Sequence, residues 1–467
     1  MTRRKKKILN NVLIKGIADK GKAVGRAPEG QVVFVENVVP GDVVDVLVLR
    51  KKKGVMQGTP LEFIEYSKDR IEPFCSHFDV CGGCKWQNLA YEVQLQHKET
   101  VVRDAIQRIA KVEVDDFQPI LGSEATQYYR NKLEYSFSNK RWLTPEELNT
   151  DVSNKQDVLG FHRAGAFDKI LDIDHCYLQG EPSNKLRNKA REIAHAQDLS
   201  FYDAREHAGF MRNMIIRKTE MGQLMLIVVF GANDMEKVKA FLDAMLEIFP
   251  EITSLHYCIN NKVNDFILDL DIPNYFGPEY VEEKLGDVVF RIGPKSFFQT
   301  NTNQAVRLFD VVADFVGLSG NENVYDLYTG IGSIALYLAA NCKQVVGIEE
   351  VPAAIEDAKI NQELNGITNA VFYAGEVRNV LSDDFAEKHG KPDVIITDPP
   401  RAGMHANVVE FLLKLEAPKI VYVSCNPGTQ ARDLYLLKQK YKVTKMRPVD
   451  MFPHTHHIEN VALLELI

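Results

Sequence analysis

The sequence predicts a multi-domain α/β chain with three parts. These are a small N-terminal β-barrel of the OB kind, a central α+β domain, and a C-terminal Rossmann-like domain on a seven-stranded sheet. Three observations predict this. The chain has 467 residues, which at about 150 per domain suggests roughly three. Residues 8–66 are Val-rich β runs broken by glycine and proline. From about residue 290, apolar strand-like runs alternate with helical stretches, the pattern of an open parallel sheet with helices on both faces.

Composition narrows the class. Hydrophobic residues make up 45% and charged residues 26%, which are globular values. No run approaches the roughly 18 apolar residues of a membrane span. The N-terminus, Met1 to Lys7, is charged without an apolar run behind it, so it does not read as a secretory signal. The expectation is a cytoplasmic protein with no membrane association and no stable protein partner. The net charge of −8 by itself argues against nucleic acid, but residues 1–53 hold 13 Lys and Arg against 5 Asp and Glu. That basic charge, in Arg3–Lys7 and Arg50–Lys53, can supply local phosphate contacts. A solvated tail and a charged loop are the plainer reading.

In the first 66 residues, "QVVFVENVVPGDVVDVLVLR" breaks at Pro40-Gly41, and Gly16, Gly21, Gly25 and Gly30 punctuate the stretch before it. Short β runs with glycine turns suggest a small barrel. Residues 67–290 form the central domain. It opens with Cys75, Cys81 and Cys84 in "CSHFDVCGGCKW", and in a reducing compartment such crowding argues for metal before disulfide. Four thiolates hold a zinc ion or an iron–sulfur cubane, and Cys176 is the candidate fourth. The spacing alone does not separate the two. "LAYEVQLQHKETVVRDAIQRIA" (89–110) reads as one helix with an apolar stripe. "RNKLEYSFS" and "RNMIIRKT" read as strands, and "NDMEKVKAFLDAMLEIF" as a helix.

Residues 291–467 supply five strands: "NVYDLY" (323–328), "QVVGIE" (344–349), "AVFYAG" (370–375), "DVIITD" (393–398) and "KIVYVS" (419–424). "KVTKMRPVDMF" and "ENVALLELI" follow, joined by a loop too short for a parallel crossover. The last strand is therefore antiparallel, as is typical of methyl transfer from S-adenosylmethionine rather than of dehydrogenases. The first strand ends at Asp326 and leads to Gly330-Ile331-Gly332, without the third glycine of the dinucleotide fingerprint. Glu349 ends the second strand, where a carboxylate can accept the hydroxyls of a ribose. Asp398 precedes Pro399-Pro400 on the edge where ligands bind. Cys425 follows the fifth strand on that edge. A free cysteine is commonly a buried hydrophobe, but in this position its thiolate can act as a nucleophile. Glu459 opens the last strand beside it. His454, His456 and His457 in "FPHTHHIEN" read as a polar loop that positions Glu459 rather than as a metal site.

Six ordered motifs, "SFFQTN" (296–301), "DLYTGIG" (326–332), "GIEE" (347–350), "TDPPR" (397–401), "SCNPGT" (424–429) and "FPHTHHIEN" (452–460), resemble the RNA uracil-5-methyltransferase family over nearly the whole chain. The barrel resembles the TRAM domain of the bacterial 23S ribosomal RNA branch. The resemblance implies that Gln299, Tyr328, Glu349 and Asp398 contact S-adenosylmethionine, that Cys425 is the nucleophile and Glu459 the base, and that Phe297 lies beside the target nucleotide. It implies a [4Fe-4S] cluster on Cys75, Cys81, Cys84 and Cys176. Thr329 and Ser333 depart from the common pattern, which has cysteine and asparagine there, so no cofactor contact is assigned to Ser333. Cys258 and Cys342 read as small hydrophobes.

The chemistry agrees with these roles. Carbon 5 of uracil needs a soft nucleophile on carbon 6 before it can take a methyl group. A base must then remove its proton. The target must be single-stranded or flipped out. The expected product is 5-methyluridine, in 23S ribosomal RNA before transfer RNA. A non-catalytic RNA-binding assembly factor is the alternative from another class. It conflicts with the intact set Cys425, Glu459, Asp398 and Gln299.

Overall fold

The structure is a computed structural model that describes residues 7–18, 21–27, 29–52, 54–144, 147–163 and 165–467. Of the basic N-terminal block, Arg3 to Lys6 lie outside the described residues. Strands β1 (Ile8–Ile17), β2 (Ala23–Arg26), β3 (Val32–Val35), β4 (Val43–Lys52) and β5 (Val55–Glu65) close a barrel in the order β1-β2-β3-β5-β4. Alternation drives it: Val12, Ile14, Val33, Val35, Val44 and Val46 point inward and are buried, as period-2 strands require.

The helix Tyr91–Ala105 continues in a wider turn over Ile106–Ala110 and leads to β6 (Val114–Phe117). A second sheet then takes up β7 (Lys132–Ser138), β8 (Val158–His162), β9 (Ile170–Asp172), β10 (Met211–Lys218), β11 (Leu224–Phe230), β12 (Ser254–Ile259) and β13 (Asn274–Phe276), in the order β13-β12-β11-β10-β7-β8-β9. One face packs on the helices Ser183–Ala196 and Met235–Ile248 through Tyr135, Met214, Leu186 and Phe241. The other face joins the C-terminal core: Ile215, Met225 and Ile227 belong to one cluster with Phe309, Val324 and Val421.

A hairpin, β14 (Val281–Leu285) and β15 (Val288–Ile292), precedes the C-terminal sheet. That sheet contains β16 (Asn323–Leu327), β17 (Gln344–Glu349), β18 (Ala370–Ala374), β19 (Val394–Thr397), β20 (Lys419–Ser424), β21 (Tyr441–Val449) and β22 (Glu459–Leu466). These seven are the strands expected from the sequence, and β22 runs antiparallel to β20. The sheet has an eighth strand: its order is β18-β17-β16-β19-β20-β22-β21-β6, with β6 parallel to β21.

The boundary drawn at residue 290 does not separate packing units. It cuts through β15, and the hairpin's Val281, Phe290 and Ile292 pack in the C-terminal core. The helix Tyr91–Ala105, assigned to the central domain, covers the C-terminal sheet through Val102, Ala105 and Ile106. An apolar stripe shows that a helix is buried but not against which sheet.

Candidate active site and thiol pocket

Strand order brings the sequence motifs to one edge. Tyr328, Glu349 and Asp398 follow or end β16, β17 and β19, which are neighbours. Tyr328 takes a left-handed φ of 66° and Gly330 one of 58°, which turns the chain away from the sheet. A Cβ on Gly330 would meet nothing within 4 Å, so the backbone borders open space there. Glu349 holds the turn: its Oε2 accepts from Gly330 N at 3.1 Å and its Oε1 from Val351 N at 3.0 Å. Asp326 is buried and accepts from Thr329 Oγ1 at 2.5 Å. Burial pushes the Asp326 carboxyl up to about 7, and Glu349 adds to this. Burial and then Asp326 push Asp398 to about 7 as well. This edge is a cluster of carboxyls short of positive charge.

Gln299 and Phe297 sit on the loop before the helix Thr302–Val316. The central sheet holds that loop. Asn131 Nδ2 donates to Gln299 O at 2.8 Å and to Thr302 Oγ1 at 2.9 Å, and Arg217 Nη2 donates to Ser296 O at 3.1 Å. Phe298 is buried, whereas Phe297 is 72% exposed. A large apolar ring turned into solvent is available for stacking.

Cys425 lies between β20 and the helix Pro427–Leu437. Asn426 caps that helix, accepting from Gly428 N at 3.1 Å, and donates to Arg401 O at 3.0 Å. Ser424 pairs with Asn460 across β20 and β22, so one more step of this register sets Cys425 opposite Glu459. Burial pushes the Cys425 thiol up to about 11; Glu459 and Asp398 raise it further and Arg401 pulls it back. Burial and Asp398 also raise the Glu459 carboxyl well above its usual range. Arg401 Nη2 meets His457 Nδ1 at 2.7 Å, and burial lowers His457 to about 4. Cys425 opens on a cleft of about 1050 Å³ whose walls come from the barrel (Ile17, Lys22), Trp86, the helix Tyr91–Ala105 and Arg401.

The loop between β21 and β22 places Glu459. Lys98 Nζ and Asp450 Oδ1 pair at 2.6 Å with both side chains buried. Lys85 N and Trp86 N donate to His454 O at 2.7 and 3.2 Å, and Gln94 Nε2 meets His454 Nδ1 at 3.2 Å. The rings of His456 and His457 lie 4.2 Å apart, tilted by 34° to each other. His454, His456 and His457 all have contacts within this loop or to the residues packed on it. Gly21, at φ 72°, brings the barrel against this loop: a Cβ there would lie 3.0 Å from His456 Cβ, and Trp86 Nε1 donates to Gly21 O at 3.2 Å.

Cys75, Cys81, Cys84 and Cys176 line one cavity of about 150 Å³ with His77 and Arg130. Burial pushes the Cys81 thiol up to about 12 and the Cys84 thiol to about 11, and neighbouring cysteines add to both. Among the described residues no group of three or more His, Cys, Asp or Glu is placed to hold a metal ion. Cys258 and Cys342 are buried apart from this cavity.

Sequence reading gave no role to Arg401, Asn131, Arg217, Lys98 or Trp86. Arg401 was visible inside "TDPPR". Trp86 and Arg217 act across 65 and 79 residues, and Asn131 and Lys98 across 168 and 352, and nothing local signals them.

A sheet with this strand order, a glycine turn after β16 and carboxyls at the strand ends defines an S-adenosylmethionine-dependent methyltransferase. A family described as tRNA (Uracil-5-)-methyltransferase matches residues 274–467, and the TRAM domain matches residues 10–61. An RNA methyltransferase of Bacteroides thetaiotaomicron is 52% identical over 96% of this chain and 100% of its own. One of Porphyromonas gingivalis is 51% identical over 97% and 98%. The crystal structure of Pyrococcus abyssi tRNA (uracil-54, C5)-methyltransferase with S-adenosyl-L-homocysteine superposes with a TM-score of 0.75, at 29% identity, covering 97% of this chain and 99% of that one. The chain belongs to the RNA uracil-5-methyltransferase family. No helix among the described residues is long and apolar enough to cross a membrane.

Proposed function

We propose that the enzyme methylates carbon 5 of a uridine in 23S ribosomal RNA, in the cytoplasm, through a covalent bond from Cys425. The observation that carries this is Cys425 one step beyond the Ser424–Asn460 pair of β20 and β22, near enough to Glu459 for that carboxyl to push its thiol up, at the mouth of a cleft lined by the barrel. The strand-end carboxyls suit a cationic ligand, and the open space at Gly330 suits close backbone approach. Gln299, Tyr328, Glu349 and Asp398 would hold S-adenosylmethionine, which supplies an electrophilic methyl group when bound. Phe297 stacks on the extruded base.

Cys425 gives its proton to solvent in the cleft, and its sulfur adds to carbon 6 as the π electrons of the C5–C6 bond move onto carbon 5 and the neighbouring carbonyl oxygen. Carbon 5, now nucleophilic, takes the methyl group. Glu459 removes the remaining proton from carbon 5, and the carbon–sulfur bond breaks to release Cys425. A carboxyl held neutral by burial beside Asp398 becomes a base when a positive charge arrives next to that pair. Arg401 favours the ionised forms of both Cys425 and Glu459.

The four thiols would hold a [4Fe-4S] cluster. Buried thiolates need compensating positive charge, and Arg130 is the one Lys or Arg among the described residues that line this cavity, too little for four thiolates. Four thiols lining one cavity supply the ligand number that such a cluster needs.

The test is 5-methyluridine mapping in ribosomal RNA from cells with and without the gene. Loss of one 23S site on deletion is expected, restored by the wild type but not by Cys425→Ala. Loss in transfer RNA instead would refute the ribosomal assignment.

A further inference from the structure

Beside the reaction cleft lies a second cavity, of about 1030 Å³, on the central sheet. It occupies the part of the sheet that the C-terminal domain leaves uncovered, over β7, β8 and the start of β10. Gly165 lines both this cavity and the cleft at Cys425, so the two meet at that glycine. Asn213 stands on its floor, 4% exposed. Its Nδ2 donates to Ser136 Oγ at 3.2 Å, but its Oδ1 accepts nothing among the described residues. A buried amide oxygen without a partner costs about 1–3 kcal/mol, and because almost none of it is open to solvent a ligand donor reaches it as the side chain turns toward the cavity. The carboxylates nearby are already paired, Asp265 with Arg212 and Asp168 with Arg205. On the same face as the amide is the ring of His162 on β8, whose neighbour Phe161 turns to the opposite face against Tyr135, and at the rim stands Phe167, 69% exposed.

We propose that this cavity binds an unpaired base of the substrate RNA, a few nucleotides from the uridine at Cys425. The proposal rests on the RNA methyltransferase reading of that cleft. A strand entering the cleft passes Gly165, where the missing side chain lets the backbone of the RNA come close. The base stacks against the aromatic wall, as single-stranded recognition requires. Its edge meets the Asn213 amide, which offers an acceptor and a donor side by side, the pattern an adenine edge matches. The enzyme thereby reads sequence at a second position and uses it to select one uridine among many.

Two transcripts test this: a long 23S fragment around the methylated uridine, and a hairpin trimmed to that uridine's loop. Phe167→Ala and Asn213→Ala should each weaken binding of the long transcript about tenfold, within the range for one stacked base. Both should leave binding of the trimmed hairpin, and kcat at saturating RNA, unchanged. Equal losses on both transcripts, or no loss on either, overturn the proposal. If Asn213→Ala lowers Tm, the exposed Phe167→Ala decides. Ultraviolet crosslinking of the long transcript should reach residues 161–168, and crosslinks confined to the barrel and the Cys425 cleft would count against it. A wild-type enzyme that crosslinks there yet transfers no methyl group would refute the proposed function while supporting this site.

Discussion

Lys98→Met should destabilise the protein and detach the loop that carries Glu459. Lys98 and Asp450 are 1% and 0% exposed and pair at 2.6 Å. Methionine keeps the length of the side chain and removes the charge, which strands a buried carboxylate. Breaking one partner of a buried pair costs about 3–5 kcal/mol. Asp450 keeps hydrogen bonds from Tyr91 OH and Phe452 N, each at 3.0 Å, so the lower end, about 3 kcal/mol, is expected. Adding Asp450→Asn removes the stranded charge and should recover more than half of the loss. Urea denaturation followed by tryptophan fluorescence measures this. The chain has two tryptophans, and Trp86 lies 5.7 Å from Lys98 Nζ, so one reports directly. A cost below about 1 kcal/mol, or a double variant no more stable than the single one, would refute a charge-stranding account. Methyl transfer should fall in the same order as stability.

Asp326 and Asp398 have folded pKa values near 7, raised from 3.8, so the folded state binds more protons between these values. Their stabilising contribution is complete below about pH 4 and lost as pH rises through 7. Relative to wild type, Asp398→Asn should therefore gain Tm from pH 6 to pH 8, while S-adenosylmethionine should raise the wild-type Tm more at pH 8 than at pH 6. A pH-independent difference would disprove the shared cause. Glu459→Gln should accumulate a covalent protein–RNA species on denaturing gels, because the carbon 5 proton stays in place and Cys425 is not released. Its absence would remove Glu459 as the base. Protein purified without oxygen should be coloured and contain iron, and Cys176→Ser should lose both. Colourless wild-type protein carrying zinc would replace the cluster with a single ion.

Much of the catalytic edge was legible. Apolar runs such as "QVVGIE" and "KIVYVS" became β17 and β20 with unchanged limits, because a strand buried on both faces leaves a continuous hydrophobic signature. Position along such a strand then places Glu349, Asp398 and Cys425 without further information. The supporting contacts were not legible. Asn131 reaches Gln299 across 168 residues and Gln94 reaches His454 across 360. Such contacts leave no periodicity in either segment. Strand β6 was missed for a related reason: "VDDF" is short and half charged, and it becomes a strand only because β21 offers it an edge.

That eighth strand also sets a timetable for synthesis. Val114 pairs with Val443, so β6 leaves the ribosome about 330 residues before its partner, roughly 15–65 s at ordinary elongation rates. Through that interval the helix Tyr91–Ala105 has no sheet to cover. The barrel and the central sheet can fold as they emerge, whereas the catalytic sheet must wait for the last turn of the chain. A chain cut at residue 290 would keep β21 as a bare edge, open to any passing strand. A nascent chain that stalls before residue 441 would carry both halves of the problem, an unpaired strand and an uncovered helix, and would be the species chaperones have to hold.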